Sequence, residues 1–407
     1  MIPNEATMNF ALVHANDDVH QLALSGCASP DVDLKMALQL IQGRRAARTK
    51  LPSWASNNDI VYPPRLNMEQ CSSEATALYK LSVIRNLRHK QSLLDLTGGF
   101  GVDFAFMSRA FEQAVYLERQ EELCQMARHN FAALGLQGAT VVCGDGVDYL
   151  HSMTASADMI FLDPARRDTH GSRTYAISDC TPDVIPLMET LLRKARYVML
   201  KLSPMLDWRK AVADLGGHSV RQVHIVAISG ECKELLILLS AEGTAQPPVL
   251  FCANDDTLEV FPTALTTPTA PPIPTAPTTP TIPTAPTPSH FLYEPNAALM
   301  KAGLFAELAA RYGVQPLAAN SHLFVSDTEV PSFPGRRFVV QAVSTMNKRE
   351  LRRLTASVSQ ANITVRNFPM TVAELRRRLK MGEGGSNYIF ATTLASGEHV
   401  LLLCSKA

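Results

Sequence analysis

The sequence predicts an α/β chain built around a mostly parallel sheet that ends in an antiparallel hairpin. Three observations carry this. Short apolar runs alternate with helix-spaced segments between residues 90 and 240, which is the pattern of parallel strands joined by crossover helices. The last two runs, VHIVAIS and ELLILLS, are separated only by GECK, too short for a crossover. Three glycines, Gly98, Gly99 and Gly101, fall directly after the first run in LLDLTGGFGVDFAF.

Taken in order, residues 1–90 read as a largely helical subdomain holding the basic run GRRAARTK and the loop-like PSWASNNDIVYPP. Residues 91–262 form the α/β core, with strands expected at SLLDLT, AVYLE, TVVCGD, DMIFLD and YVMLKLS before the closing pair. In EELCQMARHNFAALGL, Leu123, Met126, Ala127, Asn130 and Leu134 recur at helical spacing. TPDVIPLMETLLRKA reads as a helix with Thr181 as N-cap and Pro182 at its first position. Residues 263–290 are a Thr/Pro-rich linker; its prolines favour extended polyproline II, with a reach on the order of 80 Å. Residues 291–407 form a third, mixed α+β unit. It contains a capping box at Thr371 and Glu374 and a closing hairpin around Ser396 and Gly397.

The 407 residues balance 38 Lys and Arg against 38 Asp and Glu, so any electrostatic role must come from local segregation. At 46% hydrophobic and 19% charged the composition is globular. No run of about 18 apolar residues occurs, so no membrane span is expected. The N-terminal MIPNEATMNFALVHANDD lacks the basic and apolar regions of a signal peptide. Eight cysteines are scattered without a CxxC pair, which points to reduced thiols in a cytoplasmic protein and to no metal.

A strand ending in Asp95, a glycine-rich loop and then a helix is a geometry that cradles a nucleotide. A dinucleotide site wants GxGxxG, and GGFGVD fails at the third glycine. A loop for S-adenosylmethionine (SAM) places glycines two, four and six residues after the acid. Here those positions hold Thr97, Gly99 and Gly101. Three further acids end the next three strands. Glu118, followed by Arg119, is placed to accept from ribose hydroxyls; Asp145, followed by Gly146, to take the adenine amino group; and Asp163 closes MIFLD. Four acids on successive strand ends line one sheet edge, where such folds bind ligands.

Pro164 stiffens the turn after Asp163, so that this carboxylate can hold an acceptor while a sulfonium methyl is attacked in line. Arg166 and Arg167 either hold a phosphate or a base edge or pair with nearby acids. Lys201 follows as a candidate substrate contact. Enzymes that methylate C5 of pyrimidines place a cysteine after the fifth strand; here KLSP puts Leu202 there, so covalent chemistry is disfavoured. Cys71, Cys180 and Cys232 read as small apolar side chains.

A parallel sheet finished by a hairpin is the layout of class I methyltransferases. The strings KLPSWA, EQCSSEATALYK, DLTGGFGVDFAF, YLERQEELCQMARHNFAALGL, DPARR, KLSPMLDW and ECKELL resemble a bacterial family of SAM-dependent methyltransferases with a C-terminal THUMP-like domain. YEPNAALMKAGLF, NSHLFVSD and VAELRRRLK resemble that appended domain. The resemblance implies SAM as methyl donor, with Asp95, Thr97, Gly98, Gly99 and Gly101 on the cofactor loop and Glu118, Arg119, Asp145, Gly146 and Asp163 around it. It places Asp163 at the catalytic edge, which the residue reading extends to Pro164, Arg166 and Lys201. EQCSSEAT (69–76) either closes over the cofactor through Gln70, Ser72 or Ser73, or caps a helix.

True THUMP domains bind RNA. Residues 336–381 hold eleven Lys or Arg against two Glu, a net of +9 in a neutral chain, which suits a phosphate-bearing partner. The expectation is therefore a SAM-dependent methyltransferase transferring methyl to a nitrogen or oxygen of RNA by direct displacement. The alternatives are a protein or small-molecule methyltransferase, a non-catalytic protein binding SAM and RNA, and a nicotinamide-dependent enzyme.

Overall fold

A computed structural model describes residues 2–166, 176–242, 246–263, 286–318, 320–356 and 358–407, with Arg166 described by its backbone alone. Most of the Thr/Pro-rich tract and Arg167 lie outside these residues. The chain forms two compact units, the first mainly Met1–Ile228 with Lys233–Phe251, the second mainly residues 266–407.

In the first unit six helices precede the sheet: α1 (Glu5–Val13), α2 (Val19–Ser25), α3 (Leu34–Lys50), α4 (Pro52–Ala55), α5 (Arg65–Gln70) and α6 (Glu74–Arg85). Side-chain caps start several of them. Asn4 accepts from the Thr7 amide at 2.8 Å, Asp33 from Met36 at 3.0 Å and Ser73 from Thr76 at 3.3 Å. These helices close no core of their own. Leu40, Ile41, Trp54 and Tyr62 are buried in one continuous cluster with Phe100, Phe104 and Phe131 from the sheet side.

The alternation then runs β1 (Ser92–Asp95), α7 (Val102–Met107), β2 (Gln113–Glu118), α8 (Glu121–Ala133), β3 (Ala139–Cys143), α9 (Gly146–Ser152) and β4 (Ala157–Leu162). A two-residue pair, β5 (Ala165–Arg166) and β6 (Cys180–Thr181), stands apart. After α10 (Met188–Lys194), β7 (Ala195–Leu202) and α11 (Trp208–Asp214) come β8 (Val220–Ile228), β9 (Glu231–Ser240), β10 (Val249–Asn254) and β11 (Thr257–Pro262). The sheet order is β11-β10-β8-β9-β7-β4-β1-β2-β3. β3, β2, β1, β4 and β7 run parallel, and β9 lies antiparallel on β7. The central parallel strands are buried on both faces, as crossover helices require; β4 reads Met159, Ile160, Phe161 and Leu162 without a polar break.

One expected boundary moves. The helix placed at Thr181 starts at Met188, and Thr181 pairs with Ala165 in the short β5–β6 bridge. Pro186 disfavours helical backbone at Ile185, so the helix forms only after the second proline.

The second unit carries β12 (Phe291–Pro295), α12 (Ala297–Ala302), α13 (Phe305–Tyr312), β13 (Gln315–Pro316), β14 (Phe324–Ser326), β15 (Gly335–Thr345), α14 (Lys348–Thr355), β16 (Asn362–Arg366), α15 (Val372–Leu379), β17 (Tyr388–Thr393) and β18 (His399–Lys406). They build a seven-stranded sheet in the order β13-β14-β12-β15-β18-β17-β16. Thr371 and Glu374 form the expected capping box, and β17 and β18 the expected hairpin. Leu351 and Leu354 of α14 share a core with Leu375 and Leu379 of α15, so both helices cover one sheet face.

Among the described residues no helix is long and apolar enough to cross a membrane.

Candidate active site

The ends of β1, β2, β4 and β7 and the start of α9 open onto one cavity of about 770 Å³. Asp95, Thr97, Gly98, Gly99, Gly101, Glu118, Arg119, Asp145, Gly146, Asp163, Pro164 and Lys201 all line it. Of the site residues expected at the catalytic edge or around the cofactor, Arg166 alone has a side chain that is not described.

The glycine loop is dictated by packing. A Cβ on Gly98 would stand 2.1 Å from the Tyr116 ring, and the Tyr116 hydroxyl donates to the Gly99 carbonyl. Gly101 has φ +84°, and its Cβ would meet Phe131 at 2.8 Å. The loop thus lies flat on aromatic side chains, leaving the space above it open to a ligand. Thr97 stands where the pattern would have glycine, and its side chain is used. Its Oγ1 accepts from the Asp163 amide at 2.7 Å and ties β1 to the β4 end.

Each acid is held differently. Glu118 accepts from the Gly99 amide through Oε2 and from Gln120 through Oε1, both at 2.9 Å. Asp145 caps α9, with Oδ1 accepting from Val147 at 2.7 Å, while Arg119 lies 3.8 Å from Oδ2. Asp95 is only 1% exposed and accepts from the Thr97 amide at 2.9 Å. Burial raises its pKa to about 8, helped by the neighbouring Asp103 and Asp163 charges.

The sign of the resulting pH effect follows. The folded state keeps Asp95 protonated where the unfolded chain, near 3.8, has lost that proton. The contribution of this group to stability is therefore full below about pH 4 and is lost as pH rises through about 8. Asp95→Asn is expected to flatten the fall in thermal midpoint between about pH 5 and 8; an unchanged slope counts against a protonated Asp95.

Three charged residues that sequence reading passed over, Lys80, Asp103 and Glu234, stand at or behind the cavity floor. Lys80 of α6 is fully buried, with its Nζ 2.6 Å from Glu234 Oε2 and 3.0 Å from Asp103 Oδ1. Lys201 Nζ lies 2.5 Å from Asp163 Oδ2 and 3.5 Å from Asp103 Oδ2. Ser72 donates to Asp103 at 2.7 Å. Burial opposes the Asp103 charge, but Lys80, Lys201 and Ser72 outweigh it and hold its carboxyl below the ordinary range. Burial lifts Glu234 instead, against the pull of Lys80. Burial works against the Lys201 ammonium too, yet Asp163 and Asp103 raise it above the usual lysine value. The available signal was a lone charge inside an apolar run: Lys80 in ALYKLSVI, Asp103 in GVDFAF and Glu234 before LLILLS.

In EQCSSEAT, Gln70 and Ser72 line the cavity, whereas Ser73 caps α6. Cys71 and Cys180 lie on the wall, and burial pushes the Cys71 thiol up. The fold also brings donor atoms of Glu121, Cys124 and Cys143 within 4.8 Å of one another, a grouping invisible in the spacing. The Cys124 Sγ donates to the Glu118 carbonyl at 3.2 Å and the Cys143 Sγ to that of Arg119 at 3.7 Å.

Strand order, the antiparallel β9 beside β7 and the glycine loop after β1 define a class I methyltransferase fold. A crystal structure from Porphyromonas gingivalis, described as a candidate methyltransferase, is 34% identical and covers all of both chains at a TM-score of 0.84. Two Mycobacterium tuberculosis sequences from different strains, named uncharacterized S-adenosylmethionine-dependent methyltransferases, are each 24% identical over 345 residues, 82% of this chain and 88% of theirs. Family models match as "THUMP domain-like" over residues 335–406, "ferredoxin-like domain" over 291–334 and "Conserved hypothetical protein 95" over 77–177. The chain belongs to the SAM-dependent methyltransferases that carry a C-terminal THUMP-like domain.

Proposed function

We propose that this methyltransferase acts on RNA, moving the SAM methyl group to a nitrogen or oxygen by direct displacement. The observation that carries the RNA reading is a row of free arginines on α14. Arg349, Arg352 and Arg353 fall at i, i+3 and i+4, all exposed, with no acidic partner among the described residues. Leu351 and Leu354 hold the opposite side to the core.

Part of the basic segment is engaged elsewhere. Arg336 and Arg366 both pair with the buried Glu294, and Arg337 with Glu329. Arg376 donates to the carbonyls of Ala361 and Gly382. The phosphate-facing charge is therefore expected on α14 and on the exposed Arg377, Arg378 and Lys380 rather than over all of 336–381.

In the cavity, Glu118 is the acceptor for ribose hydroxyls, with Arg119 beside it. Asp145 and Gly146 border the adenine, and the Gly98–Gly101 loop provides the flat floor. The methyl-bearing end of the cofactor lies beside Asp163. SAM supplies an electrophilic methyl carbon there. Asp163, with Pro164 fixing its turn, orients the acceptor and takes its hydrogen bond, while Lys201 remains a cation throughout. In the transfer the carbon–sulfur pair goes to sulfur, the new bond forms from the acceptor lone pair, and the acceptor proton leaves to Asp163 or solvent. Leu202 stands where enzymes that methylate C5 of pyrimidines carry their cysteine, in keeping with a non-covalent path.

The test is nucleoside mass spectrometry of each RNA class from cells with and without the protein. One modification should be lost; loss of none sinks the RNA reading. In purified form, Arg349→Ala/Arg352→Ala/Arg353→Ala should weaken RNA binding. The slope of log affinity against log salt should become shallower by roughly 2. An unchanged slope places the RNA elsewhere.

A further inference from the structure

The cavity floor has two charged layers. Asp163, Lys201 and Asp103 line the cavity; Lys80 and Glu234 stand behind them, fully buried and without access to a ligand. The layers join five elements: α6 brings Lys80, α7 Asp103, the end of β4 Asp163, β7 Lys201 and β9 Glu234. The rear pair is difficult to explain by stability. Removing two charges from water costs several kcal/mol each, and a well-packed apolar pair at such a site often does as well or better. Glu234 Oε1 also lacks a hydrogen-bond partner. What the rear pair does supply is geometry. Lys80 engages Asp103 Oδ1 at 3.0 Å, so Asp103 is shared between two ammonium groups and Lys201 remains on Asp163 at 2.5 Å.

The chemistry of the site gives that arrangement a purpose. A bare carboxylate beside a cationic cofactor would ion-pair with it and stabilise the bound reactant more than the transition state, where the positive charge is leaving sulfur. A carboxylate already paired with an ammonium exerts little field at a distance yet keeps lone pairs for a directional hydrogen bond. Oδ2 of Asp163 is taken by Lys201, and Oδ1 has no partner among the described residues.

We propose that Lys201 is a positioning residue: clamped between Asp103 and Asp163 and backed by the Lys80–Glu234 pair, it neutralises Asp163. The carboxylate then serves the hydrogen-bond donor of the methyl acceptor instead of trapping the cofactor. This rests on the cavity being the SAM site.

The test needs no RNA. S-adenosylhomocysteine is neutral where the methyl was, while sinefungin carries an amine there. The ratio of their affinities reads the charge presented at that point. Isothermal titration of the full chain gives the ratio for wild type, Lys201→Met, Lys201→Arg and the paired Lys80→Met/Glu234→Met. Lys201→Met should raise the preference for sinefungin about tenfold by exposing the Asp163 charge. The paired variant should raise it in the same direction by about threefold, because Asp103 without Lys80 draws Lys201 away. Lys201→Arg should restore the wild-type ratio. Equal weakening of both ligands, or ratios within about twofold of wild type in both Met variants, overturns the proposal. Should Lys201→Met not fold, the paired variant decides alone. If wild type binds neither ligand, the cofactor site and this proposal fall together.

Discussion

Lys80→Met is expected to destabilise the protein by about 3–5 kcal/mol, more than any exposed charge on the molecule could cost. The lysine is fully buried and is the cation closest to Glu234 and to Asp103 Oδ1. Its removal leaves Glu234, 2% exposed, as a carboxylate without its ion-pair partner. Asp103 is better protected, because Ser72 and Lys201 still reach it. Urea unfolding reads the loss as a lower midpoint at unchanged slope. Lys80→Met/Glu234→Met should recover most of it, since no lone charge is then buried. A double variant as unstable as the single one would mean that the damage is lost packing around α6, not an unpaired charge.

Asp163→Asn is expected to lower the rate of methyl transfer by on the order of a hundredfold. The affinity for S-adenosylhomocysteine should stay close to wild type, because Glu118, Asp145 and the glycine loop are untouched. The amide keeps the shape of the carboxylate but loses its charge and half of its accepting capacity. It also places an uncharged group 2.5 Å from a lysine whose ammonium Asp163 stabilises. The measurement is transfer of labelled methyl from SAM to total RNA from cells lacking the protein, read beside titration of S-adenosylhomocysteine. Unimpaired transfer would remove Asp163 from the acceptor side of the cavity.

The first unit holds the whole cavity, including the contribution of the N-terminal helices through Gln70, Ser72 and, behind the wall, Lys80. The second unit offers exposed positive charge on a helix whose apolar side is fixed by Leu351 and Leu354. Loss of the α14 arginines should therefore change RNA binding without altering cofactor affinity, whereas loss of Lys201 should do the reverse.

Local sequence determined the strands, the loop and the acids. An apolar run such as MIFLD between turn signals reads as a buried strand, glycines at 98 and 101 mark a backbone pressed against its surroundings, and acids at or just after the strand ends follow directly from the chain. Those features depend on neighbours in sequence, so they are visible in it. Tertiary structure alone decided which charges meet. Lys80 and Glu234 lie 154 residues apart, and Lys201 and Asp163 lie 38 apart. Arg336 and Arg366 look like free surface charge until β12 brings Glu294 between them. Electrostatic energy depends on distance through space and on burial, and neither is written in the order of residues until the helices fold onto the sheet.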